Sequence, residues 1–314
     1  MTGAAISGIP GIAQAASQAA EKTTGGKSRV VIATNSGVLH ANNQLRTNVL
    51  GDMLDASVAK LTAVSSGREG WKKLFSADDV VGIKVNCLFG KGVATRPEFA
   101  DTVAQRLISA GVKPENIIIW DRSTADLIKC GFTPNKDGAG VKCYGDDGDW
   151  GKVIERGSFK GRITKIISDK VTAVVNLPIL KTHGITGISC CLKNHYGSFD
   201  NPGSHHSNHC NPALADFNSI PVVRNKTRLV LVDALRPQYD GGPGLKVKAQ
   251  SNYHSVLASV DPLAADYEGL QIIEKQRSEK ELDPLPTEKL EWMKSAQSRG
   301  VGTCDPAKIE AIRV

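Results

Sequence analysis

At 314 residues the chain is long enough to bury a large core, and its 40% hydrophobic and 23% charged residues are those of an ordinary globular protein. The net charge of +7 fits a plain basic surface first and an anionic ligand second, while the absence of any Lys/Arg block or basic–aromatic interleaving argues against nucleic acid as a partner. Beyond the N-terminal tail, no stretch is apolar and long enough to predict a membrane-spanning helix.

Residues 1–15 are small, apolar and uncharged and close on Ala13-Gln14-Ala15, an A-x-A cleavage pattern, with a polar linker up to residue 28. The segment reads as the apolar core and cleavage region of an export leader whose basic part is missing. Its Gly-rich, moderate hydrophobicity resembles twin-arginine signals, which places an Arg pair upstream and makes Met1 an internal methionine. The expected location is periplasmic. Residues 29–34 (RVVIAT) read as a first strand and 43–62 as an amphipathic helix, with Leu45, Val49, Met53, Leu54, Val58 and Leu61 at helical spacing. A short helical piece at 70–75 precedes a second strand at 79–86 (DVVGIKVN), apolar enough to be buried on both faces. Pro97 opens a helix that Gly111 ends, and 116–122 (NIIIWDR) is a third strand. Strand–helix–strand alternation predicts a parallel sheet.

Residues 126–161 read as an irregular excursion with short antiparallel strands near 141–144 and 152–155, and 163–168 as a further strand. A central strand is expected at 172–178, helical structure over 182–196, a loop over 197–211 and a short helix at 212–218. Residues 227–235 (TRLVLVDAL) read as the last strong parallel strand, followed by a Gly-rich loop at 238–245. A strand at 253–259, a helix at 261–276 capped by Asp261, and a surface helix at 288–299 complete the chain. The predicted class is α/β, a mostly parallel sheet flanked by helices, in two intimately packed lobes over 29–150 and 151–314.

In open parallel sheets ligands bind beyond the carboxyl ends of the strands. Four expected strands end in polar groups, which brings Lys84, Asn86, Asp121, Arg122, Asn176, Lys181 and Asp233 to one edge. Taken singly, an Asp or Asn there equally serves to cap the next helix. With Lys193 and Asn194 nearby, the set suits a carboxylate or phosphate. Gly241 and Gly242, in a DGGPG loop, can offer backbone N–H groups to the same ligand or form a plain tight turn. His183, two residues past Lys181, reads as the acid/base of the set, with Lys181 and Asp121 as its catalytic companions. Its plainer reading is a histidine bonded to backbone.

A second constellation joins Cys191 and His195, four apart on an expected helix face, with His206, His209 and Cys210 from the following loop. Thiolate and imidazole suit a transition metal or an iron–sulfur centre, although the spacing matches no standard motif. Cys190–Cys191 as a vicinal disulfide is an alternative. Seven cysteines in an exported chain leave at least one unpaired.

Six segments together resemble one family: IKVN (83–86), ENIIIWDRS (115–123), NLPILKTHGITGISCCLKNHYGSF (176–199), NPALADFN (211–218), VDAL and DGGPG (within 232–244) and SVDPLAADYEG (259–269). The chain is identified by them as a member of the domain of unknown function 362 family, in its exported single-domain form. Some members of that family carry ferredoxin-like modules with repeated C-x-x-C runs. This chain lacks them, so a cluster here would have to use the scattered Cys and His. The fold is also similar in kind to two-lobed lactate racemase relatives, which implies a ligand between α/β lobes. Three functions remain open on this reading: an enzyme acting on a small anion, with or without a metal; a metal- or cluster-binding accessory or electron-transfer protein; and an anion-binding solute receptor.

Overall fold

The structure, a computed structural model, describes residues 26–314, and the expected export leader lies outside the described residues. Twelve strands are present among them: β1 (Ser28–Thr34), β2 (Val81–Lys84), β3 (Ile117–Trp120), β4 (Lys142–Cys143), β5 (Trp150–Arg156), β6 (Phe159–Thr164), β7 (Ala173–Asn176), β8 (Ile179–His183), β9 (Gly187–Ser189), β10 (Thr227–Gln238), β11 (Ser255–Ser259) and β12 (Ile309–Arg313). Ten form one sheet whose spine runs β12-β1-β11-β10-β7-β2-β3-β4, while β5 and β6 make a separate hairpin. The segment β10-β7-β2-β3-β4 is parallel throughout. β11 runs antiparallel between β1 and β10, and β12 lies parallel to β1 at the edge.

Period-two alternation places successive side chains in two different cores. Val31, Val81, Ile83 and Ile119 join Leu50, Leu54, Phe99 and Val103 of the helices Thr47–Thr62 and Pro97–Ala110. Val30, Ile118, Val174 and Val230 join Leu263 and Ile273 of the helix Pro262–Glu279 on the other side. β2, β3 and β7 are buried at every position, as strands covered on both faces must be. Asp261 caps the long helix through Leu263 N and Ala264 N, as its sequence predicts.

Several local expectations change. Strands from both expected lobes share one sheet, and the 150/151 division falls inside β5. Residues 182–196 are not one helix: β8 turns back antiparallel onto β9, and only Cys191–Asn194 forms an α-turn. Gly187, at φ +71°, takes a backbone conformation that a helix does not allow. The excursion after β3 begins with an unforeseen helix, Thr124–Cys130, capped by Ser123, and β4 pairs parallel with β3. The strand expected at 163–168 stops at Thr164 and gives way to the π-turn Ile166–Lys170. β10 continues to Gln238, three residues beyond its expected end, and β12 was not anticipated.

Candidate functional site

Parallel pairing in register sets Lys84 beside both Trp120 and Asn176, so β2, β3 and β7 end together. Beyond those ends lies a cleft of about 120 Å³. Asn86, Asp121, Arg122, Lys181, His183, Lys193, Asn194 and His206 line it, together with Ser189, Tyr196, Leu88, Phe89 and Pro243. The three expected catalytic residues and four of the expected ligand-binding residues therefore converge.

The floor is a closed polar network. Lys84, 1% exposed, donates from Nζ to Asp121 Oδ1 at 2.7 Å and to Val85 O at 2.6 Å. Asp121 accepts further bonds from Cys87 N at 2.6 Å and Arg122 N at 2.8 Å. Three donors engage it, which makes it the counter-ion of Lys84 at the base of the cleft. Lys84 likewise sits beneath the cleft rather than in it. Asn176 donates to Cys191 O and Asn194 donates to Asn176 Oδ1 and Lys84 O, so this pair fixes the α-turn to the strand ends. Gly197 covers the ion pair closely: a Cβ there would lie 2.6 Å from Asp121 Oδ1 and 3.0 Å from Lys84 Nζ.

Among the described residues, the two wall lysines have no carboxylate within ion-pair distance. Lys181, 1% exposed, donates to Val93 O at 2.7 Å and Asn86 Oδ1 at 3.1 Å, and its Nζ lies 5.3 Å from the Phe89 ring centroid. Lys193, 8% exposed, places Nζ 3.4 Å from the Tyr196 ring centroid and 3.3 Å from His206 Nε2. Burial brings both ammonium groups down to about 8. Arg122 stands at the opening, with Nη2 3.7 Å from Asp126 Oδ2. Burial, reinforced by the Lys193 charge, holds His183 down at about 3, so its ring is neutral near neutral pH. Its Nδ1 accepts from Ile185 N at 3.2 Å and Thr186 N at 3.3 Å, which puts the ring proton on Nε2. His183 thus offers a neutral Nε2–H to the cleft.

Other expected members lie elsewhere. Asp233 is mid-strand in β10 and lines a second cavity of about 750 Å³ with Arg96 and Arg236. The Gly242 N–H already donates to Thr182 Oγ1 at 3.0 Å, so it is not free for a ligand. A Cβ on Gly242 would come within 1.9 Å of Thr182 O, which is why the position is glycine. Gly241, at φ +67°, packs against the Lys246 side chain.

The expected metal set does not assemble. Cys191 leads into the core, His195 is buried with Nδ1 3.0 Å from Ser198 Oγ, and His209 Nδ1 lies 3.1 Å from Ile185 O. Cys210 lies beside Tyr196, and His206 faces Lys193 in the cleft. Cys191 and His195 do lie one helical turn apart, on the α-turn Cys191–Asn194 and the 3-10 turn that follows it, but His206, His209 and Cys210 do not join them in a ligand group. Among the described residues the group able to hold a metal is Cys190, Cys191 and Asp266. Its thiols are 3.6 Å apart, and burial holds both protonated. Asp266 accepts Cys191 N at 2.6 Å and Leu192 N at 3.1 Å. Three donors, with the carboxylate also serving as a backbone acceptor, fall short of a closed four-ligand zinc or iron–sulfur site.

Leu88, Phe89, Tyr196 and Asp266 were missed as contributors. Leu88 and Phe89 were legible as an apolar pair in a Gly-bounded loop directly after Asn86, whereas Asp266 lies 75 residues from Cys191 and leaves no local signal. A family model described as "Domain of unknown function (DUF362)" matches residues 81–271, which include every cleft residue named above. No curated protein matches the chain. A crystal structure of a protein from Thermotoga maritima is similar at 13% identity and a TM-score of 0.36, over 68% of this chain and 58% of that one. The chain thus spans little more than half the length of that structure.

Proposed function

The chain belongs to that family of unknown function, and we propose that its cleft binds a small anionic molecule through Lys181, Lys193 and Arg122. The observation that carries this reading is the burial of two lysines, 1% and 8% exposed, with no carboxylate in ion-pair contact with either; the Asp121 charge reaches Lys181 only from a distance. An unpaired buried charge costs several kcal/mol of desolvation. A ligand of opposite charge offsets that cost at both lysines together.

The donors around the cleft narrow the chemistry. Lys181 has two of its three N–H groups committed to protein oxygens. That leaves one for a ligand, alongside Lys193, the Arg122 guanidinium and His183 Nε2–H. Such a donor-rich lining favours a group with several acceptor oxygens, a carboxylate or a phosphate. Leu88, Phe89 and Tyr196 suit an apolar portion of the same molecule. Any proton exchange near neutral pH falls to Lys181 and Lys193, because Asp121 is engaged and His183 stays neutral.

Calorimetric titration with inorganic phosphate and with short carboxylates tests the reading on the parent, Lys181→Met and Lys193→Met. Each variant is expected to lose at least about tenfold in affinity, the scale of one charge-assisted hydrogen bond. Unchanged affinity in both sinks the proposal. A second reading rests on the three donors Cys190, Cys191 and Asp266. Native mass spectrometry showing one metal per chain, lost in Cys191→Ser while the anion affinity is kept, would favour that reading.

A further inference from the structure

Two cysteines outside the catalytic and metal sets meet behind the cleft. Cys87 directly follows the cleft residue Asn86, and its N–H is held by Asp121 Oδ2 at 2.6 Å. Cys130 is the last residue of the helix Thr124–Cys130. Its Sγ donates to Cys87 O at 3.2 Å, across 43 residues of sequence. Both are free thiols, 0% and 4% exposed. Cys130 also lines the larger cavity of about 750 Å³, where Lys91 packs against the neighbouring Gly131. The pair is therefore buried, and its Cys130 member borders that cavity.

We propose that Cys87 and Cys130 form a reversible dithiol–disulfide couple that exchanges with small disulfides entering through this cavity. The two thiols are unequal. Cys130 lines the larger cavity and Cys87 lines neither cavity, so a small disulfide meets Cys130 first. Cys130 is then the attacking thiolate and Cys87 the resolving group. In the first step Cys130 Sγ⁻ bonds one sulfur of the small disulfide, whose S–S bond breaks and releases one thiolate. Cys87 loses its proton to solvent and its sulfur attacks Cys130 Sγ, expelling the second small thiolate. Two protein thiols are oxidised, the small disulfide is reduced by two electrons, and the released protons end on the two small thiols.

The position gives the couple a consequence. Asn86, Leu88 and Phe89 form one wall of the cleft, and Arg122 and Asp126 another. The new bond joins the segment after β2 to the end of the helix that carries Asp126, tying the two walls together. The other close pair, Cys190 and Cys191, borders neither cavity and faces Asp266 in the core. Cys143, Cys210 and Cys304 have no thiol partner among the described residues.

The test uses the full chain with glutathione disulfide as oxidant, acid quenching, alkylation and tryptic mapping without reductant. The expected product is peptide 85–91 (VNCLFGK) joined to peptide 130–136 (CGFTPNK), with both free again after dithiothreitol. Cys87→Ser is expected to stop at one glutathione on Cys130. Cys130→Ser is expected to lose reactivity at residue 87 by more than tenfold. Two results would overturn the couple: alkylated Cys87 and Cys130 after exposure that oxidises other cysteines, or a first disulfide elsewhere. The measurement reads sulfur alone, so its outcome is independent of whether the cleft binds anions.

Discussion

The floor and the walls of the cleft treat buried lysine in opposite ways. Lys84 and Lys181 are equally enclosed, each 1% exposed. Lys84 has a carboxylate at 2.7 Å, and that carboxylate has two backbone N–H groups to hold it. Lys181 has an amide and a backbone carbonyl, which orient an ammonium without neutralising it. The first arrangement is complete without a ligand. The second is stable only because the rest of the fold tolerates its cost, which is how a site is distinguished from a structural ion pair. The difference teaches that counting buried charges does not locate function; counting the uncompensated ones does.

Breaking the floor should give the largest effect. Asp121→Asn leaves Lys84 buried beside a neutral amide, and loss of one partner of a buried pair costs about 3–5 kcal/mol. Lys193→Met removes a charge that has no carboxylate and replaces it by an apolar chain of similar length, so stability should stay within about 1 kcal/mol of the parent or rise. Urea unfolding midpoints at unchanged m-value check both. Equal destabilisation by the two substitutions would erase the distinction between floor and wall.

The pH dependence sharpens it next. The two wall lysines fall from an ordinary 10.5 to about 8 in the folded chain. Between those values the unfolded chain holds more protons than the native one, so stability rises with pH across that window, and the full penalty is present below it. Lys193→Met is expected to flatten the rise. An anion that pairs with these groups pulls their protons back, so binding above pH 8 takes up protons and weakens as pH climbs. Calorimetry in buffers of different ionisation enthalpy measures that uptake, and an uptake of zero would place the anion elsewhere.

Much of this contrast was legible in the sequence, because it follows from a general property of parallel sheets. Apolar runs ending at Lys84, Trp120 and Asn176 placed the following polar residues on one edge, and Asn86, Arg122, Lys181 and Lys193 meet there. What could not be read was which member satisfies which. Asp121 looks like a reactive carboxylate until its three donors are seen, and they come from β2, the loop after it and its own neighbour. Asp233 looked like a strand end because the strand was read as stopping at Leu235, yet β10 runs on to Gln238 and Asp233 lines the other cavity. The metal set failed for a non-local reason: Cys191 and His195 keep their helical spacing, but the following loop takes His209 to Ile185 O and His206 to Lys193 Nζ. The partner Cys191 does have, Asp266, comes from the long helix beyond β11.

The smallest expected effect concerns His183, and it separates donor from base. Two backbone N–H groups occupy Nδ1, and burial keeps the ring neutral down to about pH 3. A neutral donor contributes one hydrogen bond of about 0.5–1.5 kcal/mol to a bound anion. His183→Ala should therefore weaken anion binding by roughly two- to tenfold. His183→Gln, which restores an N–H donor on a side chain of similar reach, should recover most of that loss, and neither variant should change the proton uptake assigned to the lysines. If His183 were instead a proton acceptor, parent affinity would break between pH 5 and 7 and His183→Gln would remove the break. A flat profile across that range, with rescue by glutamine, is the outcome that the geometry around Nδ1 requires.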